Sequence, residues 1–386
     1  MKPILNDPEL MRLVAELNRE ESDGGNVEAT GEATPQLRGV VTEAVRLGAS
    51  DVLLVAGSPP VVRLAGALRR LGSDVLGADE VEAMFSPLLD GPARKALGAG
   101  IPLDFSVAIG EGEARNRFRI NLHRQRGSTA ATMRLIRRKI PTLAELNLPP
   151  EVGRVVEPVR GLVLVCGPTG SGKTSTIAAL IGQINRERSV HIVTLEDPIE
   201  YEHASEAALI EQIEIGTDAA GFQVGLRAAL RQDPDVIMIG EIRDAETAST
   251  ALSAAETGHL ILATLHTSDT VQSIHRLVDL FPPSQHAQVQ QQLSFALHAV
   301  LCQQLVSADG KMLPIVELML MNGAVRNHIR TGRLQNLYNE LVLGRKSGMV
   351  TFESSLARLV KEGKLPEAEA RRRASHLEEL DSLLRL

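Results

Sequence analysis

The chain has 386 residues, 44% hydrophobic and 23% charged, with a formal net charge of -7. That composition fits soluble globular protein in about two or three domains. The acidic balance argues against nucleic-acid binding by bulk charge, and 2% aromatic residues with no Trp leave little material for base-stacking platforms. Cys166 and Cys302 are far apart in sequence and outside any metal spacing, so neither a disulfide framework nor a zinc site is expected, which suits a reducing cytosol. No run approaches the roughly 18 apolar residues of a membrane span, and the opening residues lack the apolar core of a signal peptide. Work at a membrane would therefore require recruitment by a partner.

Leu10, Met11, Val14 and Leu17 recur at helical spacing within residues 8–21, which predicts a short amphipathic helix at the head of an N-terminal segment, residues 1–36. From Glu20 to Gln36 the chain turns to Glu, Gly, Thr and Ser, the composition of a flexible tether. A helix is expected from Leu37 to about Leu47, strands at Asp51 to Val55 and Val61 to Leu64, and helices near Ala78 to Leu89 and Pro92 to Leu97. Strands near Leu103 to Ile109, Ala114 to Leu122 and Thr129 to Leu135 complete an α+β domain over residues 37–139. In the middle of these three, Phe118, Ile120 and Leu122 alternate with Arg117, Arg119, Asn121 and His123, one face core and the other cationic. With Arg115, Arg124, Arg126, Arg134, Arg137, Arg138 and Lys139 this is the most basic region of the chain. A solvated sheet face, an RNA surface and arginines supplied to a phosphate are the readings it allows; with so few aromatics, phosphate is favoured over RNA.

Residues 140–158 carry prolines at 141, 149, 150 and 158 and read as a linker. Strands and helices then alternate through residues 159–386. Strands are expected at Gly161 to Cys166, Val190 to Leu195, Ala208 to Ile215, Val236 to Gly240 and Leu260 to Leu265. Helices are expected at Lys173 to Arg186, Ala219 to Arg231 and Ala245 to Thr257. That order implies an α/β domain with a mostly parallel sheet and ligands at its carboxyl edge. Further helices are expected near Val271 to Leu280 and from Ser284 to about Val306, short strands near Pro314 to Leu320, and a C-terminal helical region ending with Glu367 to Leu383.

Between a strand and a helix lies Gly167-Pro-Thr-Gly-Ser-Gly-Lys-Thr174, the pattern G-x-x-x-x-G-K-T in the setting it requires. Glycines let successive N–H groups and a helix N-terminus converge on one anion. Gly167, Pro168, Thr169, Gly170, Ser171, Gly172, Lys173, Thr174 and the adjoining Ser175 are therefore candidate contacts to a nucleoside triphosphate. Lys173 would reach the β and γ phosphates, and the Thr174 hydroxyl would hold Mg²⁺. Asp235-Val-Ile-Met-Ile-Gly-Glu241 is an apolar strand ending in a carboxylate, the arrangement of a Walker B element, so Glu241 is the second Mg²⁺ candidate. Strand Val190 to Leu195 ends in Glu196-Asp-Pro-Ile-Glu200, which offers a carboxylate to orient and deprotonate water. Strand Leu260 to Leu265 ends in His266, with His259 preceding it; a His there could donate to the γ phosphate.

Four ordered segments carry a family resemblance. The glycine loop, Leu195-Glu-Asp-Pro-Ile-Glu-Tyr201, Arg231 to Asp244 and Thr257-Gly-His-Leu-Ile-Leu-Ala-Thr-Leu-His-Thr267 resemble the Walker A, Asp box, Walker B and His box of secretion ATPases. The similarity extends from about Leu37 to the C-terminal helices and is nearest to the type IV pilus retraction ATPases, the PilT or twitching motility family. Gly48-Ala-Ser-Asp51, Ala56-Gly-Ser-Pro-Pro60, Phe118-Arg-Ile-Asn121 and Ala324-Val-Arg-Asn-His-Ile-Arg330 support that branch. The resemblance implies a RecA-like ATPase domain, an N-terminal PAS-like domain and a homohexameric ring. It implies Glu200 as general base, Glu241 at Mg²⁺, His266 near the γ phosphate, and Arg119 and Arg134, with Arg117 behind them, completing the ATP site from the N-terminal domain. It further implies a cytoplasmic location at the inner membrane, with a pilus platform protein and the pilus assembly machinery as partners. Leu53 stands where the family usually has His, Ala263 replaces a His-box Gly, His328 replaces a Leu, and the first 36 residues have no counterpart.

Four functions compete on these residues. A retraction motor, main or accessory, is the first. Extension and type II secretion ATPases are the second, but many carry a Cys-x-x-Cys zinc insertion after the His box, and Thr270 to Leu313 contains only Cys302. A non-hydrolysing ATP-binding ring subunit is opposed by intact Lys173, Glu200 and Glu241, and a nucleic-acid translocase by the composition.

Overall fold

The structure, a computed structural model, describes residues 31–64, 66–110, 115–308 and 311–385. The helix expected over residues 8–21, and the tether as far as residue 30, lie outside these ranges. The chain divides between Arg138 and Lys139 into two compact units.

The first unit opens with α1 (Pro35–Arg46), whose N-cap Thr34 accepts a hydrogen bond from the Leu37 N–H. Leu37, Val41 and Ala44 recur on one helical face and are buried. The strands are β1 (Asp51–Val55), β2 (Val61–Leu64), β3 (Ala67–Arg70), β4 (Leu103–Ile109), β5 (Asn116–Gln125) and β6 (Ser128–Leu135). They form one antiparallel sheet in the order β3-β2-β1-β6-β5-β4, accompanied by α2 (Ala78–Phe85) and α3 (Gly91–Gly98). Phe118, Ile120 and Leu122 of β5 are buried and the alternate residues are not, as their spacing requires. β3 was not expected: all four of its residues are exposed, so no apolar alternation marks it.

The second unit is built on a seven-stranded sheet in the order β13-β12-β7-β11-β10-β8-β9. In chain order its elements are β7 (Gly161–Cys166), α4 (Lys173–Glu187), β8 (His191–Glu196), β9 (Leu209–Glu214), α5 (Phe222–Ala229) and β10 (Val236–Ile239). After these come α6 (Ala245–Thr257), β11 (Leu260–Leu265), α7 (Thr270–Asp279), α8 (His286–Ala296), β12 (Leu297–Ala308) and β13 (Lys311–Leu320). All pairings are parallel except β12 with β13. Every residue of β7 and β11 is buried, the signature of strands covered on both faces.

Three expectations are corrected here. The helix expected from Ser284 to Val306 ends at Ala296; the apolar run that follows is a strand, inserted between β7 and β13. Residues 140–158 are not a free linker, because Leu148, Val152, Val155 and Val156 are buried against β7 and α4. The last expected helix breaks into α12 (Glu367–Arg373) and α13 (Leu377–Arg385), following α9 (Gly323–Arg330), α10 (Leu337–Leu343) and α11 (Phe352–Lys361). The break is stabilised by buried Glu353, whose Oε1 accepts the N–H groups of Ser375 and His376 at 3.0 and 2.9 Å.

Glu317 of β13 is also buried, and its Oε1 accepts from the N–H and hydroxyl of Thr270 at 2.9 and 2.7 Å. Burial pushes its pKa up to about 7. Because the folded value lies above the unfolded one, the unfolded chain ionises first as pH rises. Stability is thus fully present below about pH 4.5 and is lost through pH 7. Glu317→Gln should remove this loss, making the variant more stable than the parent at pH 8 by on the order of 1 to 3 kcal/mol, with little difference at pH 4.5. Urea denaturation at both values tests it; an unchanged difference between the two proteins would refute the assignment.

Candidate active site

Four neighbouring parallel strands, β7, β11, β10 and β8, end at the same edge of the sheet. The chain leaving each carries one of the sequence motifs, so topology alone gathers residues spread over 100 positions. The resulting cavity, about 330 Å³, is lined by Thr169, Gly170, Lys173 and Thr174 from the first loop, and by Glu196 and Glu200 from the second. Glu241 and Arg243 come from the third and His266 from the fourth.

The loop after β7 has positive φ at Gly167, Gly170 and Gly172. Gly172 begins α4 with no side-chain cap, so the first-turn N–H groups are left for an anion. Lys173, only 9% exposed, donates from Nζ to the carbonyls of Gly167 and Pro168 at 2.7 and 3.1 Å, and lies 3.5 Å from His266 Nδ1. Burial lowers its pKa, opposed by the negative charges of Glu241 and Glu200. Ser175 and the Tyr201 hydroxyl are hydrogen-bonded at 2.7 Å, tying α4 to the loop that bears Glu200. This cradle, with an uncapped helix N-terminus, one buried cation and a hydroxyl at Thr174, fits a triphosphate.

Glu241 lies between Arg243 and His266: Arg243 Nε donates to its Oε2 at 2.7 Å, and His266 Nε2 is 3.4 Å from its Oε1. Glu200 is exposed in the cavity, whereas Glu196 is buried. Burial raises the Glu196 pKa, against hydrogen bonds donated by Thr194 and Gln212 at 2.7 and 3.0 Å. No group of three or more acidic, His or Cys residues able to hold a metal occurs among the described residues. Thr174 and Glu241 both line the cavity, and a divalent cation there would complete its shell with phosphate oxygens and water.

His259 does not join this site. It precedes β11 and so lies at the opposite edge of the sheet from His266, about 20 Å away along a six-residue strand. Its Nδ1 faces the Ala254 carbonyl at 3.0 Å. Arg117, Arg119 and Arg134 belong to the first unit, where Arg119 and Arg134 are direct cross-strand partners on β5 and β6. Arg134 Nε donates to Asp51 Oδ1 at 3.0 Å and Arg119 Nε lies 3.9 Å from Asp104 Oδ1, contacts that offset the repulsion of like charges set opposite one another. Arg117 pairs with Ala108 of β4.

Sequence reasoning missed Arg243 and gave Glu196 and Tyr201 no separate role. Arg243 was legible in principle, two residues beyond Glu241 in a motif already singled out. It also missed Gln303, whose carboxamide is hydrogen-bonded to Ser171 and Thr176. Cys166 and Cys302 prove to be paired positions on β7 and β12, both buried free thiols.

Residues 33–326 match the family described as type II/IV secretion system protein. The chain belongs to that family. It is 40% identical, over 86% of its length and 96% of the relative's, to the type IV pilus retraction ATPase PilT of Pseudomonas aeruginosa. It is 39% identical to a twitching motility protein of Neisseria gonorrhoeae, over 84% of its length and 87% of the relative's. Among solved structures it is similar to a crystal structure of the pilus retraction motor PilT with bound ADP, with a TM-score of 0.81 and 40% identity, covering 89% of this chain and 98% of that one. Like the expected fold, the second unit is α/β with a mainly parallel sheet. No helix among the described residues is long and apolar enough to cross a membrane.

Proposed function

We propose that this protein is an ATP-hydrolysing motor that powers type IV pilus retraction. The observation that carries the reading is one cavity joining the glycine loop to Glu200, Glu241 and His266, in a chain related along nearly its whole length to a pilus retraction ATPase. In this reading Gly167 to Ser175 cradle the phosphates, and Lys173 exchanges its loop carbonyls for phosphate oxygens. Thr174 and Glu241 hold Mg²⁺, which neutralises charge on the phosphates when bound. Glu200 orients and deprotonates the attacking water. His266, in contact with both Lys173 and Glu241, is placed to respond when the γ phosphate departs.

The protein works as a homohexameric ring at the cytoplasmic face of the inner membrane, held there by a pilus platform protein and the pilus assembly machinery. The first unit is a PAS-like domain. Its Arg119 and Arg134, with Arg117, complete the ATP site, and phosphate charge competes with Asp51 and Asp104 for them. Hydrolysis then moves one domain against the other. Deletion of the gene in the source cell should leave many pili and no twitching, scored by electron microscopy and by spreading beneath agar. Loss of pili would overturn retraction in favour of extension, and retention of twitching would exclude a main motor.

A further inference from the structure

We infer that Gln303 of β12 is a positioning residue for the phosphate cradle, an inference that rests on the nucleotide-binding reading of the glycine loop. Gln303 follows Cys302, the partner of Cys166 at the end of β7, and so stands beside the first residue of that loop. Its side chain is buried. Nε2 donates to the Ser171 carbonyl at 2.8 Å, while Oε1 accepts from the Thr176 hydroxyl on the first turn of α4 at 2.6 Å. One carboxamide thus staples the loop to the helix it opens.

The geometry around the loop requires this brace. When N–H groups converge on an anion, the carbonyls of the same residues point away from it and into the protein, where each needs a donor. The Gly167 and Pro168 carbonyls take Lys173 Nζ, and the Gly172 carbonyl takes the Thr176 N–H. The Ser171 carbonyl takes Gln303. Lys173 must release its two carbonyls to reach phosphate, but the Gln303 contact makes no such demand. It holds the loop in one shape whether or not a phosphate is present. The same closeness explains two of the glycines. A Cβ at Gly167 would overlap the Gln303 carbonyl oxygen, and one at Gly172 would lie 2.8 Å from Gln303 Nε2. Both also have positive φ, so side chain and backbone exclude other residues there for separate reasons.

Removing the brace leaves the loop to be ordered by the phosphates themselves, so the cost falls on binding. Calorimetric titration of the full chain with ADP should show Gln303→Met, close in shape and without the amide, binding about tenfold more weakly. KM for ATP should rise by a similar factor, while kcat falls less than threefold. Gln303→Glu keeps an acceptor for Thr176 but loses the donor to Ser171, and should be weakened at least as much. A purely structural role would lower the melting temperature without this split, and ADP affinity within twofold of the parent in either variant would overturn the inference. Should neither fold, Thr176→Val frees the carboxamide to turn and should weaken ADP binding by threefold or more; unchanged affinity there also overturns it. Failure of the unaltered protein to bind ADP would instead defeat the reading of the loop itself.

Discussion

Replacing Lys173 by Ala should lower nucleotide affinity and ATP turnover by at least about a hundredfold while changing the melting temperature by only a few degrees. The loss follows from what the ammonium does at the site. It carries positive charge into the cavity from the glycine loop, and charge-assisted hydrogen bonds to phosphate are about twice as strong as neutral ones. Two such bonds at about 1.5 to 3 kcal/mol each correspond to a factor of a hundred or more. The small stability change follows from burial. The ammonium is 9% exposed and its pKa is lowered chiefly by desolvation, so holding it charged already costs the folded state. Deleting it relieves that cost but takes the ammonium donor from the Gly167 carbonyl, and from the Pro168 carbonyl, which keeps the Ser171 N–H; the two effects oppose each other. ADP titration and phosphate release measure the functional effect, and calorimetry the stability. A variant that turns over ATP within twofold of the parent would remove the nucleotide-site assignment.

The site was legible in the sequence where function imposes residue types on a short local stretch. The glycine loop, the carboxylates of Glu200 and Glu241 and the terminal His266 each follow an apolar strand, and a parallel sheet delivers all such strand ends to one edge. Where an interaction depends on partners remote in sequence, the signal fades. Leu297 to Val306 is mostly apolar, interrupted by His298, Gln303 and Gln304, and lies next to a helix, where periodicity does not separate a buried strand from a buried helix; hydrogen bonding to β7 and β13 decides it. The available signal was Asp309-Gly310, a dipeptide suited to tight hairpins, lying between that run and the residues of β13. With β12 read as helix, Gln303 could not be placed beside the loop. His259 failed for a related reason: it adjoins a motif strand but at its amino end, and the six residues of β11 separate it from the chemistry. The apolar residues of 140–158 were hidden by their prolines, although Val152, Val155 and Val156 form part of the core.

Glu200→Gln should retain ATP and hydrolyse it about 10² to 10⁴ times more slowly, the range for loss of a positioned general base. Four carboxylates line the cavity, Glu196, Asp197, Glu200 and Glu241, and their surroundings separate their tasks. Glu241 is held by Arg243 and His266, an arrangement suited to stabilising a cation or reporting on phosphate. Glu196 is buried and committed to Thr194 and Gln212, and its raised pKa reflects that burial. Asp197 and Glu200 are exposed to the space where water must enter, and Glu200 adjoins Tyr201, whose hydroxyl is hydrogen-bonded to Ser175 of α4. An exposed carboxylate can be neutralised with little cost to folding, so the variant should keep the parental melting temperature and bind ATP at least as well, having one fewer negative charge near the phosphates. Glu196→Gln should slow hydrolysis less than tenfold, through altered support of the Glu200 loop. Single-turnover hydrolysis measured beside ATP binding distinguishes the two: a large loss in Glu196→Gln with near-normal chemistry in Glu200→Gln would transfer the base to the buried carboxylate. Parallel losses in both would instead mean that the pair acts as one unit, since the Glu200 N–H donates to Glu196 and ties the two groups together.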